Sequence, residues 1–174
     1  MHTHLRIGIL VLFTGIGHSL LAQWKVELEA GGSNFLGAST NIAYDISVSA
    51  DNQHVITPSI GVGVVSSYWW GSTGLITRAG LSYGYKRFGG GVEASVFHKV
   101  QTIAPYDRNK EMIIYPHISY KVIDRERLYF QVSAGAYFNY SIYNQPFESN
   151  EYMFNFSGDV IPGAGINIGW KFGK

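Results

Sequence analysis

Strict alternation between two kinds of side chain is the feature that most constrains this sequence. In the segment WKVELE, residues 24–29, apolar side chains occupy the even positions and charged side chains occupy the odd positions. A period of two places alternate side chains on opposite faces of a β-strand. Eight such runs follow one another, beginning at Trp24, Ala38, Val55, Thr73, Val92, Ile114, Leu128 and about Tyr152. The pattern predicts eight strands and no helix.

The lengths of these runs suit a barrel that crosses a bilayer. Each run has about ten residues or more, which is the length that a tilted transmembrane strand needs. The three glycines at 89–91 predict the turn before the fifth strand, and DRER at 124–127 predicts the tight turn before the seventh. Because eight is an even number, the chain enters and leaves the sheet on the same side. The first and last strands are then antiparallel and can pair to close a barrel. We expect an all-β, eight-stranded antiparallel up-and-down barrel.

The side-chain types on the two faces indicate which face is wet. A soluble barrel turns its apolar face inward, whereas an outer-membrane barrel turns it outward. Here the apolar face carries large residues in nearly every run, and the other face is rich in Gly and Ser with a few charges. Small residues and ion pairs fill the narrow interior of an eight-stranded barrel well. The low charged content, 14% against roughly 25% in soluble domains, fits the inverted arrangement.

Aromatic residues on the apolar face occur towards strand ends, where rings are favoured at a membrane–water interface. The predicted interface aromatics are Trp24, Tyr83, Tyr85, Phe130, Phe138, Trp170 and Phe172. Trp170 and Phe172 also resemble the terminal-strand signal that barrel-insertion machinery recognises, although Gly173 and Lys174 follow them.

Charged residues on the other face predict a network inside the barrel. The acids are Glu27, Glu29 and Glu93, and the bases are Lys25, Arg78, Lys86, Lys121 and Lys171. Paired carboxylates can perform acid and base chemistry, but charges in a narrow interior more often neutralise one another. The bulky residues Phe97, Tyr115, Tyr129 and Tyr137 share this face, so we expect no general diffusion pore.

Residues 1–22 have the features of an export signal. Arg6 precedes an apolar stretch, and Ala22 offers a small residue at a cleavage point, so residues 23–174 are the expected barrel domain. A membrane anchor is the alternative, but the stretch is shorter than the roughly 20 apolar residues of a spanning helix. Removing Arg6 lowers the 13 Lys and Arg to 12, equal to the 12 Asp and Glu. A neutral protein is a poor partner for nucleic acid.

Three segments resemble small outer-membrane barrels of the OmpA and OmpX class, and especially the PorT-like barrels. They are LLAQWKVELEAGG (20–32), RLYFQVSAGAYFNYSIYN (127–144) and GDVIPGAGINIGWKF (158–172). The resemblance implies a location in the outer membrane of a Gram-negative-type bacterium. It also implies a role as anchor, adhesin, or assembly or secretion accessory, and occasionally as a lipid-modifying enzyme.

His117 and Ser119 are the most suggestive pair for catalysis. They share a strand face, where a base could activate a hydroxyl nucleophile, and they resemble part of the His-x-Ser motif of lipid A deacylases. That family has Asn where this chain has Tyr120, and the next strand offers no acid to orient the base. His54, His98 and His117 lie in different runs without metal spacing, and Cys is absent, so no metal or cofactor is expected.

We therefore expect a noncatalytic outer-membrane protein whose loops, such as residues 102–112 and 144–152, contact a partner or the cell exterior. Its expected partners are outer-membrane lipid, the insertion machinery and a surface or secretion protein. Two alternatives stay open: a lipid-modifying enzyme that uses His117 and Ser119, and a soluble exported binder similar to lipocalins.

Overall fold

The computed structural model describes residues 23–66, 74–99, 110–141 and 161–172. These residues form eight strands and one 3₁₀ turn, Gly32–Asn34. The strands are β1 (Gln23–Gly31), β2 (Ala38–Ser47), β3 (His54–Val65), β4 (Gly74–Tyr85), β5 (Phe88–Lys99), β6 (Lys110–Asp124), β7 (Leu128–Ser141) and β8 (Ile161–Phe172). The predicted signal peptide and most of the two predicted contact loops lie outside the described residues.

Each strand pairs antiparallel with its neighbour in the chain, and β8 pairs with β1 to close the barrel. In the closing pair Trp24 lies opposite Phe172, and Leu28 lies opposite Ile168. Closure gives every strand a partner on both sides, so the sheet has no free edge. The predicted fold class, a closed eight-stranded up-and-down barrel, is confirmed.

The connections between strands differ in length at the two ends of the barrel. One end, which we call the turn end, carries connections 48–53, 86–87 and 125–127 together with the start of β1 and the end of β8. The other, the loop end, carries connections 32–37, 66–73, 100–109 and 142–160. Short connections at one end and longer connections at the other are typical of outer-membrane barrels.

The outer wall of the barrel is apolar, whereas charged side chains lie in its interior. Ile118 on β6 is 72% exposed and Ile60 on β3 is 66% exposed, whereas Lys25, Glu27 and Arg78 are each about 5% exposed. A protein surrounded by water buries its apolar side chains and leaves its charges outside. Water as the surrounding solvent therefore does not explain the exposed apolar wall.

Large residues inside the barrel lie opposite glycines on the next strand. Tyr129 on β7 is paired with Gly169 on β8, and a Cβ atom at Gly169 would lie 2.2 Å from the Tyr129 ring. Gly163 likewise lies beside Tyr137, where a Cβ would come within 2.5 Å of that ring. The Gly-rich inward face therefore provides the space that the inward tyrosines occupy.

The glycine-rich segment 89–91 is not a turn, contrary to prediction. β5 begins at Phe88, and Gly89 and Gly91 are paired with Gly84 and Ser82 of β4. The chain reverses before these glycines, at residues 86–87, where Lys86 has a φ of 54°. These glycines are needed within the strand because a Cβ at Gly91 would lie 2.6 Å from the Leu81 carbonyl oxygen.

The closing strand yields a test by truncation. Deleting residues 169–174 removes the partners of β1 from Trp24 to Glu27, and we expect the barrel not to close, since each unpaired backbone group in an apolar medium costs several kcal/mol. Deleting only residues 173–174 keeps every β1–β8 pair and should be harmless. The measurement is heat-modifiable gel mobility after refolding into detergent micelles.

A double substitution of Trp170 and Phe172 by Ala is the matched control. It keeps the backbone pairs of β8 and removes two rings, so the barrel should still close in detergent. Equal refolding of both truncated chains would show that the β1–β8 pairing is dispensable.

Candidate functional site: the barrel lumen

Three charged residues from three strands meet inside the barrel and form what we call the central cluster: Glu29 of β1, Arg78 of β4 and Glu93 of β5. Arg78 Nη2 lies 2.7 Å from Glu29 Oε2 and 2.5 Å from Glu93 Oε1. The side chain of Arg78 is only 2% exposed. Asn41 Nδ2 also donates to Glu29 Oε2 at 3.1 Å. Charges so deeply enclosed are tolerated only when they are paired and hydrogen-bonded.

The β1–β2 connection folds back into the lumen, a feature that the strand pattern did not predict. We call the 3₁₀ turn Gly32–Asn34 the plug, because all three of its residues are buried inside the barrel. Arg78 Nε donates to Ser33 Oγ at 3.1 Å, and Ser95 donates to the same oxygen at 2.8 Å. The central cluster therefore also holds the plug in place.

Backbone conformation explains why this segment can turn inward. Gly31 and Gly32 have φ values of 71° and 57°, in the left-handed region that glycine adopts without strain. A sequence signal for the plug exists in the pair Gly31–Gly32 followed by Ser33 and Asn34, residue types that favour turns. That signal indicates a turn but gives no direction, so it did not predict insertion into the lumen.

Apolar residues seal the lumen on the loop side of the central cluster. The buried cluster comprises Val65, Ile76, Phe97, Ile113, Tyr115 and Tyr137. Phe35, which follows the plug, packs the edge of its ring against Tyr137 with centroids 5.3 Å apart. The lumen is therefore blocked towards the loop end by packed rings and aliphatic side chains.

The turn-end half of the lumen is lined instead by charged side chains around the ring of Tyr129. The ammonium groups of Lys25, Lys121 and Lys171 lie 5.2, 5.8 and 5.8 Å from the centre of that ring. The Tyr129 hydroxyl donates to Glu27. Lys25 pairs with Asp45 at 2.6 Å, and both Lys171 and Lys121 pair with Asp124. Bases and acids here compensate one another.

A cavity of about 60 Å³ lies in the turn-end half of the lumen, and Arg78, Ser119, Lys121, Gln131 and Asn167 are among the residues that line it. Arg78 Nη1 and Asn167 Oδ1 are buried without a hydrogen-bond partner in the described part of the barrel. A polar cavity of this size accommodates ordered water, which commonly satisfies such atoms. The cavity is therefore suited to hold ordered water beside these atoms.

His117 and Ser119 both line the cavity, but they do not form the predicted base–nucleophile arrangement. His117 Nδ1 lies 3.3 Å from the Tyr115 carbonyl oxygen, and Nε2 lies 3.8 Å from Glu93 Oε1. The strand pattern did not predict Glu93 as a neighbour of His117, because Glu93 lies on the preceding strand, β5. Each ring nitrogen approaches an oxygen other than the Ser119 hydroxyl, so the geometry provides no activated nucleophile.

The predicted charged residues lie in two parts of the lumen and, for Lys86, outside it. Glu29, Arg78 and Glu93 form the central cluster, and Glu27, Lys121 and Lys171 lie nearer the turn end. Lys86 is not in the lumen, contrary to prediction. It lies exposed in the β4–β5 turn with its ammonium group 5.1 Å from the centre of the Tyr85 ring. The alternation that placed Lys86 inward ends at Tyr85, where the strand ends.

Most of the predicted interface aromatics lie on the outer wall near the turn end: Trp24, Tyr83, Tyr85, Phe130, Trp170 and Phe172. Phe138 lies towards the loop end of β7. The prediction omitted Tyr44, Phe88 and Tyr120, whose rings join the turn-end group. The Trp24–Tyr44 and Phe88–Tyr120 ring centroids are 4.7 and 5.0 Å apart. The alternation of β2 and β6 could have identified Tyr44 and Tyr120.

In the described part of the chain, no group of three or more His, Asp and Glu side chains is arranged to hold a metal ion. The described residues include no helix that is long and apolar enough to cross a membrane.

The strands and the lumen define the class of the protein: a closed eight-stranded antiparallel barrel with an apolar wall, enclosed charges and an internal plug. No protein-family model and no curated protein matches the chain. Among solved structures, it is similar to the N-terminal β-barrel domain of Pseudomonas aeruginosa OprF. The identity is 11%, the match covers 87% of this chain and 96% of that chain, and the TM-score is 0.44.

This similarity is too weak to support any statement about function, so the class rests on the strand pairing and the lumen of the chain itself. The resemblance to PorT-like barrels stays a prediction.

The central cluster can be tested by removing its cation. Replacing Arg78 by Met leaves Glu29 and Glu93 enclosed without a positive partner and removes a donor to Ser33. We expect a loss of roughly 3–5 kcal/mol in the free energy of unfolding. The measurement is urea unfolding of the refolded barrel, followed by tryptophan fluorescence.

The triple variant Glu29→Gln, Arg78→Met, Glu93→Gln is the control, because it removes all three charges together. It should regain much of the lost stability. If Arg78→Met unfolded at the same urea concentration as the parent, the cluster would have no structural role.

The sealed lumen predicts the electrical behaviour of the purified barrel. The plug and the apolar cluster block the loop side, and eight strands leave little space beyond that filled by side chains. In planar bilayers we expect no steady conductance of the kind produced by a general diffusion pore measured in the same membranes. A large, steady conductance would contradict the sealed lumen.

Proposed function

We propose that the protein is a noncatalytic barrel of the outer membrane in a Gram-negative-type bacterium, and that it anchors its loops at the cell surface. The observation that carries this proposal is the inverted distribution of side chains. Apolar residues such as Ile60, Leu81 and Ile118 cover the outer wall, while the charges of the central cluster are enclosed. Lipid is the solvent that favours this arrangement.

Closure of the sheet supports a location within hydrocarbon. Bilayers contain no water to satisfy free backbone groups, so a sheet can span one only when its edges are paired. The β1–β8 ladder pairs both edges of this sheet along eight positions, from Trp24 to Gly31 on β1. A soluble barrel similar to lipocalins also closes, but it needs an apolar lumen and a polar wall, and this barrel has the reverse along its turn-end half.

The aromatic group near the turn end supports an orientation. Trp24, Phe88 and Trp170 lie on the outer wall, one or a few residues from a short turn, the start of β1 or the end of β8. Rings of this kind anchor barrels at a membrane interface. In outer-membrane barrels the short turns face the periplasm, so the long loops of this chain would face the cell exterior.

A role as an anchor fits the lumen better than a role in transport or catalysis. The plug and the apolar cluster leave no continuous path through the described part of the barrel. His117 approaches Glu93 and a backbone carbonyl rather than Ser119. We therefore propose that the partners are outer-membrane lipid, the insertion machinery that recognises the last strand, and a surface or secretion protein bound by the loops.

The membrane assignment is tested by placing a charge on the outer wall. Ile118 lies near the middle of β6 and is highly exposed. Replacing it by Arg should cost roughly 2–4 kcal/mol if the residue faces the hydrocarbon core. The measurement is the stability of the barrel in phospholipid vesicles, together with the amount of protein in the outer-membrane fraction of cells.

Val48→Arg is the matched control. Val48 is also an exposed apolar residue, but it follows β2 at the turn end. A charge there should cost at most about 1 kcal/mol, because it lies near the interface. Equal effects of the two substitutions would contradict a bilayer around the barrel, and a protein found in the soluble fraction would favour the lipocalin-like alternative.

A further inference from the structure

Four exposed cations lie in two neighbouring turns at the turn end, and we call them the basic rim: Lys86 and Arg87 of the β4–β5 turn, and Arg125 and Arg127 of the β6–β7 turn. Glu126 is the one acid within these two turns. The four rim cations are exposed, and Arg87 also lines the lumen cavity. The ion pairs near this end include those of Lys121 and Lys171 with Asp124 and that of Lys25 with Asp45.

Backbone hydrogen bonds join each turn of the basic rim to a neighbouring strand. The Lys121 amide donates to the Arg87 carbonyl oxygen at 2.8 Å, which joins the first turn to β6. The Lys171 amide donates to the Arg127 carbonyl oxygen at 2.9 Å, which joins the second turn to β8. The two turns lie on the arc of the barrel from β4 to β7, next to β8.

The opposite arc of the turn end carries no comparable charge. Residues 38–65, which form β2, β3 and their connection, contain no Lys or Arg. The exposed charge in that connection is Asp51, whose carboxylate accepts hydrogen bonds from the Ser49 hydroxyl and the Gln53 amide. These bonds lower the pKa of Asp51 and keep it ionised. The turn end is thus positive on one side and negative on the other.

Outward-facing rings accompany the basic rim on the same arc. Phe88 directly follows Arg87 and is 67% exposed, with its ring packed beside Tyr120. Trp170 precedes Lys171 and is also exposed. Cations at the level of the turns and rings just inside them match the two parts of a phospholipid, the phosphate-bearing head group and the glycerol with its acyl chains.

We propose that the basic rim binds the head groups of anionic glycerophospholipids in the leaflet that meets the turn end. The inference rests on the proposed function, since it needs the barrel to span a bilayer. Cations close to an anionic surface attract it over about a Debye length, and the attraction grows with each Lys or Arg. A soluble polyanion would meet the cations but would make no use of the adjacent rings.

The experiment measures which lipids the barrel retains. The chain without the predicted signal peptide, residues 23–174, is refolded and inserted into vesicles that contain equal amounts of phosphatidylglycerol and phosphatidylcholine. It is then extracted with mild detergent and purified. The phospholipid that stays bound is then quantified by mass spectrometry. We expect about five-fold more phosphatidylglycerol than phosphatidylcholine on the parent protein at physiological salt, and less of a difference at high salt.

Two triple variants separate charge from packing. Replacing Arg87, Arg125 and Arg127 by Gln should bring the two lipids close to equal retention, whereas replacing the same residues by Lys should preserve the preference. Gel mobility confirms that each variant is folded, and because all three side chains lie in exposed turns, both variants should fold like the parent. Excess inorganic phosphate should not displace the lipid, whereas displacement would show that a free anion is the true ligand.

Each outcome has a separate meaning. Equal retention of both lipids by a parent protein that is inserted, or an unchanged preference in the Gln variant, would overturn this inference and leave the membrane assignment intact. Failure of the parent to insert into any vesicle would overturn the proposed function and this inference with it.

Discussion

The pairing of β8 with β1 is the constraint on which the rest of the structure depends. It closes the sheet, satisfies the edge strands and fixes an inside and an outside for every side chain. Once the barrel is closed, a strand residue points either into a narrow lumen or onto the outer wall, and no third environment exists. The alternation seen along each strand then becomes a separation between enclosed charges, such as Arg78, and exposed aliphatic side chains, such as Ile118.

The lumen is organised in layers along the barrel axis. Apolar packing around Phe97 and Tyr115 occupies the loop side, the central cluster and the plug lie below it, and the compensated charges around Tyr129 occupy the turn side. The glycines of the inward face make room for these layers, since the large residues of one strand occupy space left by the glycines of the next. Stability and closure of the lumen therefore come from the same side chains.

Prediction from sequence was most successful where a single strand contained all the information. The facing of β1, β7 and β8 follows from their own alternation, and the structure agrees with it. It was less successful where a strand ends. Lys86 continues the pattern of β4 in sequence but belongs to a turn, and Gly89 to Gly91 resemble a turn but belong to β5. A glycine serves a turn and a crowded strand equally well, so only its neighbours distinguish the two.

The sequence by itself determined the number of strands, the side of each strand that faces the lumen and the inversion of polar and apolar faces, because these properties follow from local periodicity and composition. Only the tertiary structure decided which charges meet. Glu29, Arg78 and Glu93 lie on three different strands and are brought together by the register of the closed barrel. Insertion of the plug and alignment of two basic turns on one arc were decided in the same way. Both depend on distances across the barrel, and periodicity along one strand contains no information about those distances.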